Sequence, residues 1–257
     1  MEKLVYLFEK GASTDLVGMS RRILDCARDI DSHNRCDQIW INVWEGDPAV
    51  RALAGSYATP DRDKSLVGSL SIWLDCLDDR AWIEERLWML DIPFHGYLVT
   101  ESIVLEYGER DWPAGERSPG ITLVAAFRKP RQLADHEFYR RWHEGHSKLS
   151  LELHPLWRYV RNTVARAVTT DAPDFRAIVE ERVRRYEDME PDAFYRGKQD
   201  VATNDLATFV DFSGVDQMRI ELMSEYIFWQ RPRKSVLTLP ANPVLSRVES
   251  NRRLFHE

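Results

Sequence analysis

The chain repeats one order of predicted elements on either side of a segment rich in chain-breaking residues. Residues 108–120 hold three glycines and two prolines, a composition typical of a connection between folded units. We place the boundary at Ser118, which predicts an N-terminal domain over residues 1–118 and a C-terminal domain over residues 119–257. Two half-sized domains also suit a length of 257 residues, which falls between one typical domain and two.

Apolar runs rich in residues that favour strands predict strands, and one-sided apolar periodicity predicts helices. In the first half these patterns predict a strand over 3–10, a helix over 15–30, strands over 38–45 and 66–75, a helix over 79–90 and a strand over 97–107. In the second half they predict a strand over 121–129, a helix over 135–153, a strand over 156–168, an inserted charged helix over 174–188, a strand over 206–213, a helix over 216–226 and a terminal strand over 243–255.

Each half therefore has the β-α-β-β-α-β order of the ferredoxin-like motif, and the predicted fold class is α+β. A sheet of this kind carries helices on one face only, so its other face needs cover. Two such sheets that face each other form a barrel. We predict two ferredoxin-like repeats whose sheets close one barrel within a single chain.

The charge balance narrows the choice of partners. The chain has 35 basic and 42 acidic residues, and its net charge is −9 up to Ser118 and +2 beyond it. A negative overall field disfavours nucleic acid and anionic membranes as partners. Three cysteines without a Cys-x-x-Cys pair, no signal-peptide pattern and no long apolar run lead us to expect a cytoplasmic protein with reduced thiols.

The stretch 122–165 carries the most informative motif. It combines two basic residues and a proline after a strand, an aromatic-aromatic-His series at intervals of four in a helix, and Arg-Tyr-Val in the next strand. The residues are Arg128, Lys129, Pro130, Phe138, Trp142, His146, Arg158, Tyr159 and Val160. This pattern resembles the EthD family of dimeric α+β barrel proteins over the C-terminal half, with looser similarity over 207–215 and 247–253. The N-terminal half lacks the Trp-x-x-x-His helix and is interpreted as a degenerate second copy, which makes the barrel pseudo-dimeric.

The resemblance implies several chemistries, because proteins with this barrel include cofactor-independent polyketide cyclases, decarboxylases, lactone isomerases and quinone-forming monooxygenases, as well as haem-binding branches. We expect a cofactor-independent lyase (a dehydratase or decarboxylase) or an isomerase or cyclase. It would use acid/base catalysis on a hydrophobic, aromatic or polyketide-like small molecule. Two alternatives stay open: a non-catalytic accessory protein that binds a hydrophobic ligand, and a haem-dependent or cofactor-free oxygenase. A homodimer formed through exposed sheet edges also stays open.

His146 is the predicted acid/base group, because an imidazole with an ordinary pKa near 6.5 changes its charge close to neutral pH. Its spacing from Trp142 places it at the edge of the buried helix stripe, where a purely structural histidine is the alternative. Asn162 is the predicted donor to a substrate oxygen, since a fixed dipole stabilises developing charge. Tyr159 is the alternative donor and lies on the opposite face of the same strand.

Asp211 is a carboxylate in an apolar segment, where burial is costly unless the charge is paired. We expect it either to face inward, where it would orient His146 or act as a base itself, or to lie at the surface. Trp142, Arg128 and Phe209 are the predicted substrate contacts.

The sequence offers little support for a metal or nucleotide cofactor, and we expect none. His143 and His146 are three residues apart, whereas the zinc motif His-Glu-x-x-His separates its histidines by four. His143 is expected to face solvent with Arg140 and Glu144. The mixed charges over 174–188 are interpreted as a solvated helix face with ion pairs along it.

Overall fold

The computed structural model describes residues 1–57, 64–212 and 218–230. Within them, eight strands close one antiparallel barrel with the spatial order β1-β3-β2-β8-β5-β7-β6-β4. The strands are β1 (Glu2–Glu9), β2 (Gln38–Trp44), β3 (Leu66–Leu74), β4 (Phe94–Leu105), β5 (Ile121–Phe127), β6 (Leu156–Ala167), β7 (Ala177–Val183) and β8 (Met218–Gln230). The predicted closure of a barrel by one chain is confirmed.

The two halves of the barrel have the same strand order. In the first half the strands lie in the order β4-β1-β3-β2, and in the second half β8-β5-β7-β6, which is the same arrangement. The halves join where β2 pairs with β8 and where β4 pairs with β6. Every one of these eight strands has a partner on both sides, so none of them offers a free edge to a second chain.

Helices cover the outer face of each half. They are α1 (Leu16–Ser32), α2 (Pro48–Ala54), α3 (Ala81–Trp88), α4 (Asp135–Tyr139), α5 (Ser147–Leu153), α6 (Pro191–Phe194) and α7 (Gln199–Leu206). Asp15 caps α1, because its carboxylate accepts the amide of Gly18 at 2.9 Å. The apolar stripe of α1 packs with α3 against Leu4, Tyr6 and Phe8 on the outward face of β1. No helix of the described residues is long and apolar enough to cross a bilayer.

Three predicted elements of the second half are wrong. The region 174–188 contains the strand β7 instead of a helix, the described part of 216–226, from Met218 on, lies in the strand β8, and the described part of 206–213, up to Phe212, holds the end of α7 and a loop. The charges over 174–188 predict a solvated face, but Glu180, Glu181 and Arg182 are all buried. Glu180 and Arg182 point into the barrel, and Glu181 points outward, toward the helices that cover the sheet. The β-α-β-β-α-β order is nevertheless present, since α7 precedes β8. The predicted terminal strand over 243–255 lies outside the described residues.

The connection between β4 and β5 packs against one end of the barrel. The amides of Gly115 and Ser118 donate to the carbonyls of Ile227 and Glu225 at 2.7 and 2.8 Å. The hydroxyl of Tyr107 donates to the Glu225 carboxylate at 2.6 Å. The rings of Trp112 and Trp157 pack against Tyr107, so aromatic side chains cover this end.

Candidate active site

The helix that carries His146 is interrupted by a π-helical segment. Residues Arg140–His146 form this segment between α4 and α5. In an α-helix, residues four apart drift by about 40° around the axis, which predicts that His146 reaches the edge of the buried stripe. The wider π winding offsets that drift, so Phe138, Trp142 and His146 are all buried against the sheet. Such π segments are rare and occur frequently at functional sites.

Two polar side chains hold the His146 imidazole. Its Nδ1 lies 2.7 Å from the Asp205 carboxylate on α7, and its Nε2 lies 3.3 Å from the Ser150 hydroxyl one turn along the helix. Because a carboxylate only accepts, Nδ1 carries a proton and Nε2 of the neutral ring is the acceptor. The ring of Phe209 packs on the imidazole with centroids 5.1 Å apart. Asp205 thus fixes the tautomer and orientation of His146.

A second buried carboxylate extends this cluster on the outward face of β7. Glu181 lies 3.3 Å from Nδ1 of His154, and the His154 ring stacks on Phe194 at 4.0 Å. Burial alone would raise the pKa of Glu181. Interactions with His154, His146 and Ser150 together lower it by more than burial raises it, so the pKa of Glu181 lies below its ordinary value. Asp205, His146, Ser150, Glu181 and His154 therefore form one polar cluster between the helices and the C-terminal sheet.

Tyr159 lies on the same side of the sheet as His146. Its hydroxyl lies 3.3 Å from the Ser147 hydroxyl, and its ring belongs to the aromatic core with Phe127, Trp142 and Phe209. Burial raises the pKa of Tyr159, so its hydroxyl stays protonated and available as a donor. The structure thus brings together four of the predicted site residues: His146, Tyr159, Trp142 and Phe209.

Asn162 lies on the other side of the sheet, inside the barrel. Its amide Nδ2 donates to one oxygen of the Glu180 carboxylate, and that of Asn42 donates to the other, both at 3.4 Å. Lys3 and Arg158 approach the same carboxylate at 3.8 and 3.6 Å. The donor group of Asn162 is therefore engaged by the protein, and a sheet separates it from His146.

The barrel interior around Glu180 is charged and polar. Burial lowers the pKa of Arg158, but Glu180, Glu225, Tyr107 and Glu106 together raise it more, so its pKa lies above the ordinary value. Buried polar atoms without a hydrogen-bond partner within the described part of the chain also line this space. They include the amide oxygens of Asn42 and Asn162, the hydroxyls of Ser69 and Ser71, Nε1 of Trp40 and one carboxylate oxygen of Glu225. Ordered water is the usual partner for such atoms.

Asp211 and Arg128 lie apart from the His146 cluster, at a cleft beyond the end of β5. The amide of Asp211 donates to the carbonyl of Arg128 at 3.0 Å, and both residues line the cleft. Asp211 lies in a loop rather than in the predicted strand. The carboxylate that orients His146 is Asp205, which no sequence pattern singled out.

His143 is half-buried, which corrects the expectation that it faces solvent. Its ring packs on Trp142 and Tyr139. Burial and the nearby Arg161 cation lower the pKa of His143 to about 4. Over residues 1–57, 64–212 and 218–230, no group of three His, Cys, Asp or Glu side chains is placed to hold a metal ion.

Histidine is a common axial ligand of haem iron, which makes His146 the candidate ligand for the haem alternative. Both nitrogens of His146 lie within hydrogen-bond distance of protein partners, and Phe209 covers the ring. In this arrangement His146 does not fit an axial ligand of haem.

The comparisons with known proteins show the fold. No family model matches the chain, and no curated protein matches it. Among solved structures, an anthrone oxidase-like protein has a TM-score of 0.54 at 11% identity, and the alignment covers 90% of this chain and 92% of that one. A mutant chlorite dismutase from Candidatus Nitrospira defluvii has a TM-score of 0.49 at 9% identity, covering 87% and 90%. The chain shares the fold of the anthrone oxidase-like protein, and its own architecture is a closed eight-stranded α+β barrel within one polypeptide.

Proposed function

We propose that the chain is a cofactor-independent enzyme of the EthD type that moves a proton on a hydrophobic, aromatic or polyketide-like small molecule, with His146 as the acid/base group. The observation that carries this proposal is the 2.7 Å contact between His146 and Asp205 in an aromatic environment. A carboxylate behind an imidazole fixes the reactive tautomer and stabilises the imidazolium that forms on proton transfer. The resemblance of residues 122–165 to the EthD family supports the same assignment.

Nε2 of His146 is the proposed atom that exchanges the proton, because Nδ1 faces Asp205. In the proposed step, Nε2 removes a proton from a carbon next to a carbonyl group, the electron pair of that C–H bond forms a C=C bond, and the carbonyl π pair moves to oxygen to give an enolate. In an isomerisation the imidazolium returns the proton to another carbon of the enolate. In a cyclisation the enolate carbon attacks a second carbonyl carbon and the imidazolium protonates the oxygen of that carbonyl, whereas in a dehydration it protonates a hydroxyl group on the β carbon, which leaves as water. Ser150 holds Nε2 before the substrate arrives.

Tyr159 is the proposed donor to the developing enolate. Its hydroxyl lies on the His146 side of the sheet and remains protonated, because burial raises its pKa. Asn162 has no part in this step, since it lies inside the barrel against Glu180. Phe209 covers the imidazole, so substrate entry requires Phe209 to move.

Hydrogen–deuterium exchange tests the proposal with model compounds in place of the physiological substrate. A panel of aryl ketones and aromatic lactones is incubated with the protein in D2O, and loss of the α-proton signal is followed by NMR. We expect the wild-type protein to accelerate exchange for at least one compound and His146→Gln to abolish the acceleration. His143→Gln, on the same helix, is the matched control and should retain it.

Two outcomes would contradict the proposal. Equal exchange by wild type and His146→Gln would remove His146 from the chemistry. Saturable binding of panel compounds with no exchange at all would favour the non-catalytic accessory role instead.

A further inference from the structure

The cleft beyond the end of β5 is separate from the His146 cluster. It has a volume of about 990 Å³, which is within the size range of small-molecule sites. Three loops form it: the loop after β5, the loop before β7 and the loop after α7. Its lining comprises Arg128, Lys129, Pro130, Arg131, Gln132, Asp135, Asp174, Arg176, Ala207, Val210, Asp211 and Phe212.

Arg128 is the half-buried cation of this cleft that has no ion pair with a described residue. Lys129 and Arg176 both pair with Asp135, at 3.2 and 2.9 Å. Arg128 has no ion pair or side-chain hydrogen bond with the described residues, although it is half-buried and its Nε is fully buried. A partly desolvated guanidinium without an anion is costly, and its planar donor fork suits a carboxylate.

The first half of the barrel shows how the matching position is satisfied internally. Leu7 and Ala126 hold equivalent places in the two sheets. Glu9 lies two residues beyond Leu7 at the end of β1, and Arg128 lies two residues beyond Ala126, directly after β5. Glu9 pairs with Arg219 at 3.2 Å. Arg128 holds the equivalent position in the second half and has no such partner among the described residues.

The rest of the lining indicates what kind of anion fits. Pro130, Val210 and Phe212 provide apolar walls, and the side chain of Phe212 is 51% exposed. Four cations and three carboxylates line the cleft, so the lining has one positive charge in excess. A single negative charge neutralises it, whereas a dianion would be repelled by the carboxylates.

We propose that this cleft binds an organic monoanion, a carboxylate on an aromatic or aliphatic body, with its carboxylate on the Arg128 guanidinium and its body against Pro130, Val210 and Phe212. The binding stands without the proposed function. Only the effect of this anion on His146 catalysis rests on that function.

One chain segment connects the cleft to the His146 cluster. In residues 205–212, Asp205 and Phe209 contact His146, whereas Val210 and Asp211 line the cleft. An anion that contacts Val210 and Asp211 therefore acts on the same segment that positions the imidazole. Occupancy of the cleft should change the environment of His146.

Isothermal titration calorimetry with 2-naphthoate tests the proposal. Neutral 2-naphthamide and the dianion 2,6-naphthalenedicarboxylate are the comparison ligands. Arg128→Gln should weaken 2-naphthoate binding by about tenfold or more. Arg131→Gln removes the same charge from the exposed rim of the cleft and should change the affinity less than about twofold. Arg128→Lys keeps the charge without the planar fork, and its loss of affinity should lie between those of the other two variants.

Circular dichroism checks that the variants are folded. If Arg128→Gln does not fold, the comparison of Arg128→Lys with Arg131→Gln still tests the proposal. Equal losses in the Arg128 and Arg131 variants, equal affinity for the dianion, or no binding of 2-naphthoate would each overturn the proposal. The binding is measured without turnover, so its failure is distinct from a failure of the exchange assay. A shift of the His146 ring signals on titration, lost in Arg128→Gln, would show the link between the two sites.

Discussion

Asn42 and Asn162 occupy corresponding positions in the two halves of the barrel and donate to opposite oxygens of the Glu180 carboxylate. Their equivalence follows from pairing, because Asn42 faces Ser69 on β3, Asn162 faces Ile178 on β7, and these partners face Leu7 and Ala126 on the first strand of each half. The two repeats thus meet on one carboxylate that only the second repeat supplies.

Removal of either amide should destabilise the barrel. Asn42→Ala and Asn162→Ala each leave one Glu180 oxygen short of a donor, at an expected cost of about 1–3 kcal/mol. The double variant should be non-additive, because both amides serve one carboxylate. Urea unfolding measures these costs, with the exposed Asn204→Ala as control. Strict additivity would mean that the two amides act independently.

The Tyr107 hydroxyl should stabilise the packing of the β4–β5 connection on the barrel. Tyr107→Phe removes its 2.6 Å hydrogen bond to the fully buried Glu225, and we expect a loss of about 1.5–3 kcal/mol. The same change at the more exposed Tyr186 should have little effect. Thermal and urea unfolding compare the two, and equal stabilities of the two variants would contradict the role given to Tyr107.

His143 should titrate well below the ordinary histidine range. Its pKa is lowered to about 4 in the folded chain, so between that value and about 6.5 the unfolded chain binds the proton more readily. The free energy of unfolding should therefore decrease as the pH falls from about 6.5 toward 4. The decrease should be smaller in His143→Gln, which has no imidazole to protonate at this position. NMR of the ring protons gives the midpoint directly, and one near 6.5 would contradict the burial of His143.

The π-helical segment should be needed to aim His146 at Asp205. Deletion of Gly145 would shift His146 by one position, a rotation of about 100° around an α-helix, and should break the contact between these residues. Gly145→Ala is the control, because its Cβ would meet nothing within 4 Å. Loss of exchange activity in the deletion variant only, with both variants folded, is the expected result. Full activity of the deletion variant would show that the π segment has no role.

Much of the barrel could be predicted because its first strands are short apolar runs. β1 and β5 are buried both toward the helices and toward the interior, and a short run of apolar residues that favour strands is visible in the sequence. β7 could not be recognised as a strand, because two of the side chains that it points into the barrel, Glu180 and Arg182, are charged. Glu180, Glu181 and Arg182 are buried through partners far away in sequence, such as Asn42 and Thr122. Local patterns carry no trace of those contacts.

The candidate site could also be predicted only in part from the sequence. The Phe-x-x-x-Trp-x-x-x-His series pointed to the helix face that carries His146, because it is a local pattern. Asp205 lies 59 residues away on a helix that the sequence did not predict, so its contact with His146 had no local signal. The opposite orientations of Tyr159 and Asn162 followed from strand alternation. Only the packed structure shows that Tyr159 shares the His146 side.

Asp205→Asn tests the central claim most directly, because it keeps the shape of the side chain and removes the charge behind His146. The measurement is the rate of α-proton exchange in D2O, compared between wild type and the variant on the best compound of the panel. We predict a loss of about 100-fold or more, since the imidazolium loses its stabilising carboxylate and the tautomer is no longer fixed. An exchange rate equal to that of the wild type, in a folded Asp205→Asn protein, would contradict the account.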